Sequence, residues 1–172
     1  MSLTLIKETG AGLANANSYA DVADGDAYHA GHLYASAWTA ATADQKAIAL
    51  AMATRLIDAE YQFNGTRTTA GQALQWPRED CPDPDAGDMV AETMVPEAVI
   101  EAACEMARAM LIEDRTANPL GEGLKFTGLG VNQTSFDKSD RRPVLTQLAQ
   151  VMLSKYGSQI SAKSGAVRLV RV

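Results

Sequence analysis

The chain has 172 residues, 47% of them hydrophobic but only 6% aromatic, and a formal net charge of −6. That length fits one domain with a sizeable core, or one domain with extended arms. The acidic balance argues against a free-standing nucleic-acid binder, whose affinity comes largely from neutralising phosphates, and no run approaches the roughly 18 apolar residues of a membrane helix.

Much of the apolar fraction is alanine, with methionine and few β-branched residues, a composition that favours helix. Residues 1–10 lack the basic start and apolar run of a signal peptide, so synthesis and assembly in the cytoplasm are expected. Leu3–Ile6 reads as a short strand or extended arm. Ser18, with Asp21 three residues on, predicts a capped first helix from about Tyr19 to His29, ending near Gly31. Ala35–Ala41, around Trp38, reads as a link. Thr42 and Gln45 form a capping box that opens a long helix from about Ala43 to Tyr61. Ile48, Met52, Leu56 and Ala59 mark its expected buried stripe, with Ile57 and Tyr61 beside it. Asn64-Gly65 ends that helix in a turn.

Residues 66–95 read as loop, with one helical turn at Ala70–Leu74. Within them Trp76 is followed by Pro77 and Arg78, and a large aromatic pinned by a proline is expected to act as a structural anchor. Its ring should pack onto the helices, with Arg78 bonding a carboxylate of a neighbour or a loop carbonyl. Glu79, Asp80, Asp83, Asp85, Asp88 and Glu92 then form an acidic stretch. Pro96 and Glu97 open a helix to about Asp114 that should bury Val99, Ala103, Met106, Ala107 and Met110. Residues 121–139 change to a hairpin or long loop around Phe126, Leu129, Val131 and Phe136. Pro143 starts a last helix through Leu148 and Met152 to Tyr156, capped by Gly157. The tail from Ser158 carries Lys163, Arg168 and Arg171 and no acid, and alternates apolar and basic residues over Ala166–Val172. This arm suits addition to a sheet edge of another chain, or pairing with Leu3–Ile6 of its own.

Catalytic chemistry is not legible. Phosphate-loop, nucleophile-elbow, zinc-protease and dinucleotide motifs are all missing, so no enzyme and no cofactor is expected. His29 and His32 stand at i, i+3, but a metal needs three or four ligands and the helix is ending there, so two partly exposed helix-end histidines are expected. The carboxylates of residues 81–88 fail the calcium-loop pattern, whose twelfth position falls on Met94 or Pro96. Cys81 and Cys104 lack metal or redox spacing and read as reduced thiols. Arg141 and Arg142 read as solvated surface beside Asp137 and Asp140.

Several segments together resemble a known family. They are Ala16–Ala20 (ANSYA), Asp26–Tyr28 (DAY), Ala37-Trp38, Asn64–Arg67 (NGTR), Gln72–Arg78 (QALQWPR), Val95-Pro96 and Val167–Arg171 (VRLVR). In this order they resemble the head–tail connector (adaptor, or head-completion) proteins of tailed bacteriophages, part of which is described as DnaT-like single-stranded-DNA-binding proteins. The resemblance implies a mainly α fold. This would be a small bundle of about four helices, with a long loop or hairpin insertion and extended N- and C-terminal arms. Residues 1–157 would form the helical domain and 158–172 an extended docking arm. It further implies a virion protein of the neck, a homo-oligomeric ring of roughly twelve copies. Its partners would be the portal protein, another neck or tail protein, and genomic DNA sliding through without specific binding. On that reading Val167, Arg168, Leu169, Val170, Arg171 and Val172 are the portal-docking arm. Glu79, Asp80, Asp83, Asp85, Asp88 and Glu92 line the lumen, where acid repels phosphate. The alternative is a single-stranded-DNA-binding accessory protein of replication, which predicts salt-sensitive binding to oligonucleotides.

Overall fold

The computed structural model describes residues 3–117, 126–129, 132–135 and 142–160. The described residues form five helices and four two-stranded antiparallel ribbons. The fold is mixed α/β, not the mainly helical bundle expected from composition and resemblance.

At the N-terminus Lys7 bridges Ser18, so the chain returns on itself before any helix begins. The buried carboxylate of Glu8 holds this return from inside, accepting hydrogen bonds from the amides of Gly10, Gly12 and Leu13 at 2.8–3.0 Å. Helix α1 is Val22–Ala30, and its cap is Asp21 paired with Asp24 in a reciprocal box. It starts three residues later than predicted because Ser18 is already spent: its amide bonds the Ile6 carbonyl and its hydroxyl the Ala20 carbonyl. The expected link around Trp38 contains a short helix, α2, Ser36–Ala40. Trp38 lies against α1 where residue 25 is glycine; a Cβ there would fall 2.3 Å from the Trp38 ring, so no side chain fits without moving it.

Helix α3, Ala43–Glu60, opens on the predicted Thr42–Gln45 box. Its buried face is Ala47, Leu50, Ala51, Thr54 and Ile57, whereas Ile48 is 50% exposed. The stripe is rotated from the one read off the larger apolar residues, because α3 packs on a partner helix that is itself rich in alanine. That partner, α4, Glu97–Ile112, buries Val99, Ala102, Ala103, Cys104, Met106 and Ala107. Small residues on both sides let the two backbones approach closely. Helix α4 also touches α1, α2 and a last helix, α5, Gln147–Leu153, and is the centre of the core. Helix α5 is shorter than predicted: Thr146, not Pro143, caps it, accepting from the Ala149 amide.

The ribbons account for the missed strand content. Strand β1, Tyr61–Phe63, pairs with β8, Gly157–Gln159, so Gly157 enters a strand and does not cap a helix. β2, Thr66–Arg67, pairs with β3, Arg78–Glu79, and β4, Pro82–Asp83, with β5, Asp88–Met89. The expected loop of residues 66–95 therefore contains two short ribbons. The turn between β1 and β2 requires Gly65, which has φ of +70° and would place a Cβ 2.1 Å from the Glu79 carbonyl. β6, Phe126–Leu129, and β7, Asn132–Ser135, pair within the predicted hairpin region. The described chain continues past residue 157 to Ile160, whose amide bonds the Glu60 carbonyl. The strand partner of Gly157–Gln159 is Tyr61–Phe63; the alternating tail Ala166–Val172, for which pairing with Leu3–Ile6 or with another chain was expected, lies outside the described residues.

Candidate nucleic-acid interface

Trp76, Pro77 and Arg78 are all buried. The Trp76 ring meets Phe63 and Tyr156 edge-on at centroid distances of 5.6 and 5.8 Å. Arg78 reaches loop carbonyls and no carboxylate, with Nε 2.6 Å from Asn64 O and Nη2 2.6 Å from Gly65 O. Its guanidinium is held below the usual range by burial.

The acidic residues have different local roles, and Asp83 and Asp88 stand opposite each other in the β4–β5 ribbon. Glu79 lies in β3 and accepts from the Thr66 hydroxyl at 3.0 Å. Asp80 sits in the left-handed region at φ 55°. Asp83 turns the β4–β5 connection by accepting from the Asp85 amide, and Asp85 pairs with Lys155 from beyond α5. Asp88 and Glu92 are exposed. Val167, Arg168, Leu169, Val170, Arg171 and Val172 lie outside the described residues, as do Arg141, Asp137 and Asp140. Arg142 pairs with Glu113 at 2.6 Å. His29 is buried and not partly exposed. Its Nε2 sits 3.1 Å from the Cys104 carbonyl, and burial lowers its pKa. Both cysteines are free and buried.

Beneath the segment before Trp76 lies a polar network that the sequence did not reveal. Tyr19 is fully buried; its amide bonds the Thr54 hydroxyl at 3.1 Å, and its own hydroxyl donates to Asp58. The second Asp58 oxygen accepts from the Gln75 amide at 3.1 Å. The Tyr19 hydroxyl also accepts from the Gln75 and Trp76 amides, at 3.1 and 3.4 Å. Burial, and then the Asp58 charge, raise the Tyr19 pKa well above its ordinary value. Burial likewise pushes Asp58 up to about 6, against the Tyr19 hydroxyl, the Gln75 amide and the charges of Arg67 and Arg78.

An acid whose folded pKa exceeds its unfolded value binds more protons when folded. Its contribution to stability is full below about pH 4 and is lost as pH rises to about 6, a loss of about 2–3 kcal/mol. Asp58→Asn should therefore flatten the pH dependence of urea unfolding between about pH 4 and pH 7. Equal pH dependence in variant and parent would contradict the raised pKa of the half-buried Asp58.

Above this network a groove of about 360 Å³ opens between α3, the Ala16-Asn17 turn, β2 and the 73–75 segment. Arg55 from α3 and Arg67 from β2 line it, both exposed, with Leu74 and Asp58 among its other walls. Asn17 is fixed there by bonds to the Ile6 amide and the Thr4 carbonyl, at 2.8 and 2.9 Å. The other described cations are engaged: Lys7 with Asp24, Lys46 with Asp26, Arg108 with Glu105, Arg115 and Arg142 with Glu113, Lys155 with Asp85, and Arg78 inside the core. Among the described residues Arg55 and Arg67 pair with no carboxylate. Asp58 is the acid among the groove's walls and feels the Arg67 charge, but neither arginine is drawn into an ion pair with it, which leaves both able to meet an anion.

The family described as "Putative DnaT-like ssDNA binding protein" matches residues 3–172. The chain belongs to this DnaT-like family. No curated protein and no solved structure matches the chain. The match corrects the resemblance drawn from the sequence motifs. It carries the DnaT-like half, whereas the head–tail connector identity, the portal partner and the ring have no support in it. The family's description is of single-stranded-DNA binding, which agrees with the replication-accessory alternative and not with the connector. Sequence reasoning missed Arg55 and Asp58 because it read α3 only for its apolar spacing. Arg67 was visible only as the end of the Asn64–Arg67 motif.

Proposed function

We propose that the protein binds single-stranded DNA by its phosphate backbone at the groove between Arg55 and Arg67, and that it acts by binding, without catalysis. The observation that carries this is the pair of groove arginines, in no ion pair among the described residues, in a chain of the DnaT-like family. Arg55 and Arg67 would hold phosphates, the Asn17 and Gln75 amides would bond sugar or base edges, and Leu74 offers an apolar wall. No aromatic residue is among the groove's described lining and Tyr19, bonded to Asp58, is buried, so base stacking contributes little and sequence preference is low. The net charge of −6 and the Asp58 carboxylate both oppose phosphate, which keeps affinity modest.

Two phosphate contacts on a single strand give a slope of about −1.4 for log affinity against log salt. Arg55→Ala and Arg67→Ala should each weaken binding of a fluorescent oligonucleotide about tenfold at low salt, and each should flatten the slope by about 0.7. If the double variant keeps the parent's affinity and slope, the groove is not the site.

A further inference from the structure

Helices α1 and α4 leave a second, larger groove between them, of about 800 Å³. One face of α1, from Asp24 to Gly31, and one face of α4, from Glu97 to Cys104, form its walls. Half-buried Tyr28 and Ile100 give it an apolar lining, and Met94, 44% exposed, lies along it. Apart from His32, which faces Glu105 at 3.9 Å, its charged groups are acidic. Asp24 is paired with Lys7 at 2.6 Å, but among the described residues Glu97 and Glu101 pair with no cation. These two stand one turn apart on α4, where like charges repel. Burial and then the Glu97 charge hold the Glu101 carboxyl above its usual range, with Lys155 opposing. Apolar side chains beside uncompensated carboxylates call for an amphipathic, basic occupant.

The chain itself contains such a segment. Residues 161–172 follow the last described residue, Ile160, and include Lys163, Arg168 and Arg171 with no acid. Val167, Leu169, Val170 and Val172 surround the two arginines. Extended, these residues reach up to about 40 Å, against a radius of gyration of about 16 Å for a folded chain of this length. Tethering raises the local concentration of the segment to the millimolar range, so weak contacts suffice to seat it.

The geometry points to the α1–α4 groove as the docking site of the chain's own residues 161–172, with Arg168 and Arg171 meeting Glu97 and Glu101 and the apolar residues lying on Tyr28 and Ile100. This does not depend on the nucleic-acid reading, since a different groove and different residues carry it. Seated there, the basic tail would also be withheld from phosphate.

Hydrogen exchange on the intact chain tests it. Amides of residues 166–172 should exchange about tenfold more slowly than in a free peptide of the same sequence. Glu97→Gln with Glu101→Gln should abolish that protection and leave the α3 amides unchanged, and Arg168→Glu with Arg171→Glu should do the same. Combining Glu97→Lys and Glu101→Lys with the two arginine reversals should restore it. Tail amides that exchange at the free-peptide rate overturn the proposal, as does protection indifferent to the two glutamates. Protection that grows with protein concentration also overturns it, by assigning the groove to another copy's tail.

Discussion

Replacing Trp76 by alanine should lower the stability of the protein by about 3–5 kcal/mol, the range for truncating a large buried aromatic. The indole is 0% exposed. It fills the space between β1, through Phe63, and the turn after α5, through Tyr156. Those two regions are joined again by the β1–β8 ribbon and by the bond from the Asn64 amide to the Tyr156 carbonyl. The cavity would therefore open where the end of the chain is fastened to its middle, with little backbone freedom to collapse into it. One feature works the other way. The indole Nε1 is buried without a hydrogen-bond partner in the described structure, so part of the gain from burying the ring is already offset. Trp76→Phe, which keeps a ring and removes that donor, should cost well under half as much as alanine. Urea unfolding followed by circular dichroism gives both values, and a loss below about 0.5 kcal/mol for alanine would mean that the ring is exposed.

The contrast between Trp76 and its surroundings shows what the sequence could carry. The helix starts at Thr42 and near Pro96 were legible, because a capping box and a first-turn proline act within a few residues. The unusual company of Trp76, Pro77 and Arg78 was legible as an anchor for the same reason: rare residue types stood together. The ribbons were not. Tyr61 pairs with Gln159, far along the sequence, and β2 to β5 are two residues each, too short for any alternation to register. Their geometry comes from Gly65, Arg78 and the tertiary contacts of Phe63, not from strand propensity. The buried face of α3 was only partly legible: Ile57 lies in the core beside the expected stripe, but Ile48 is half exposed and the buried face turns toward Leu50, Thr54 and the alanines. The groove was not legible either. Arg55 stands beside Thr54 and three residues before Asp58, but it meets Arg67 only because the β2–β3 ribbon folds back over the helix.

Arg78→Met should be as damaging as the loss of Trp76, about 3–5 kcal/mol, although it replaces a buried charge by an apolar side chain of similar length. A guanidinium in the interior would ordinarily face a carboxylate, and substituting such a pair can be nearly neutral. Here every bonded acceptor is a neutral oxygen: the carbonyls of Phe63, Asn64, Gly65 and Gln75 and the Gln75 side-chain amide, at 2.6–3.4 Å. Methionine donates to none of them, and each carbonyl left buried without a donor costs about 1–3 kcal/mol. Arg78→Lys keeps the charge but not the fork, and an ammonium cannot reach the 63–65 carbonyls and Gln75 together, so it should recover only part of the loss. Arg78 also sits opposite Arg67 in the β2–β3 register and bonds Gln75, whose amide holds Asp58. Under conditions where the methionine variant is still folded, it should therefore bind oligonucleotide with a flatter salt slope than the parent, although Arg78 itself touches no phosphate. Unfolding measurements and binding titrations on the same preparation separate the two effects. A variant that loses stability but keeps the full slope would show that Arg67 is placed without Arg78, and a stability loss near zero would show that water satisfies the abandoned carbonyls.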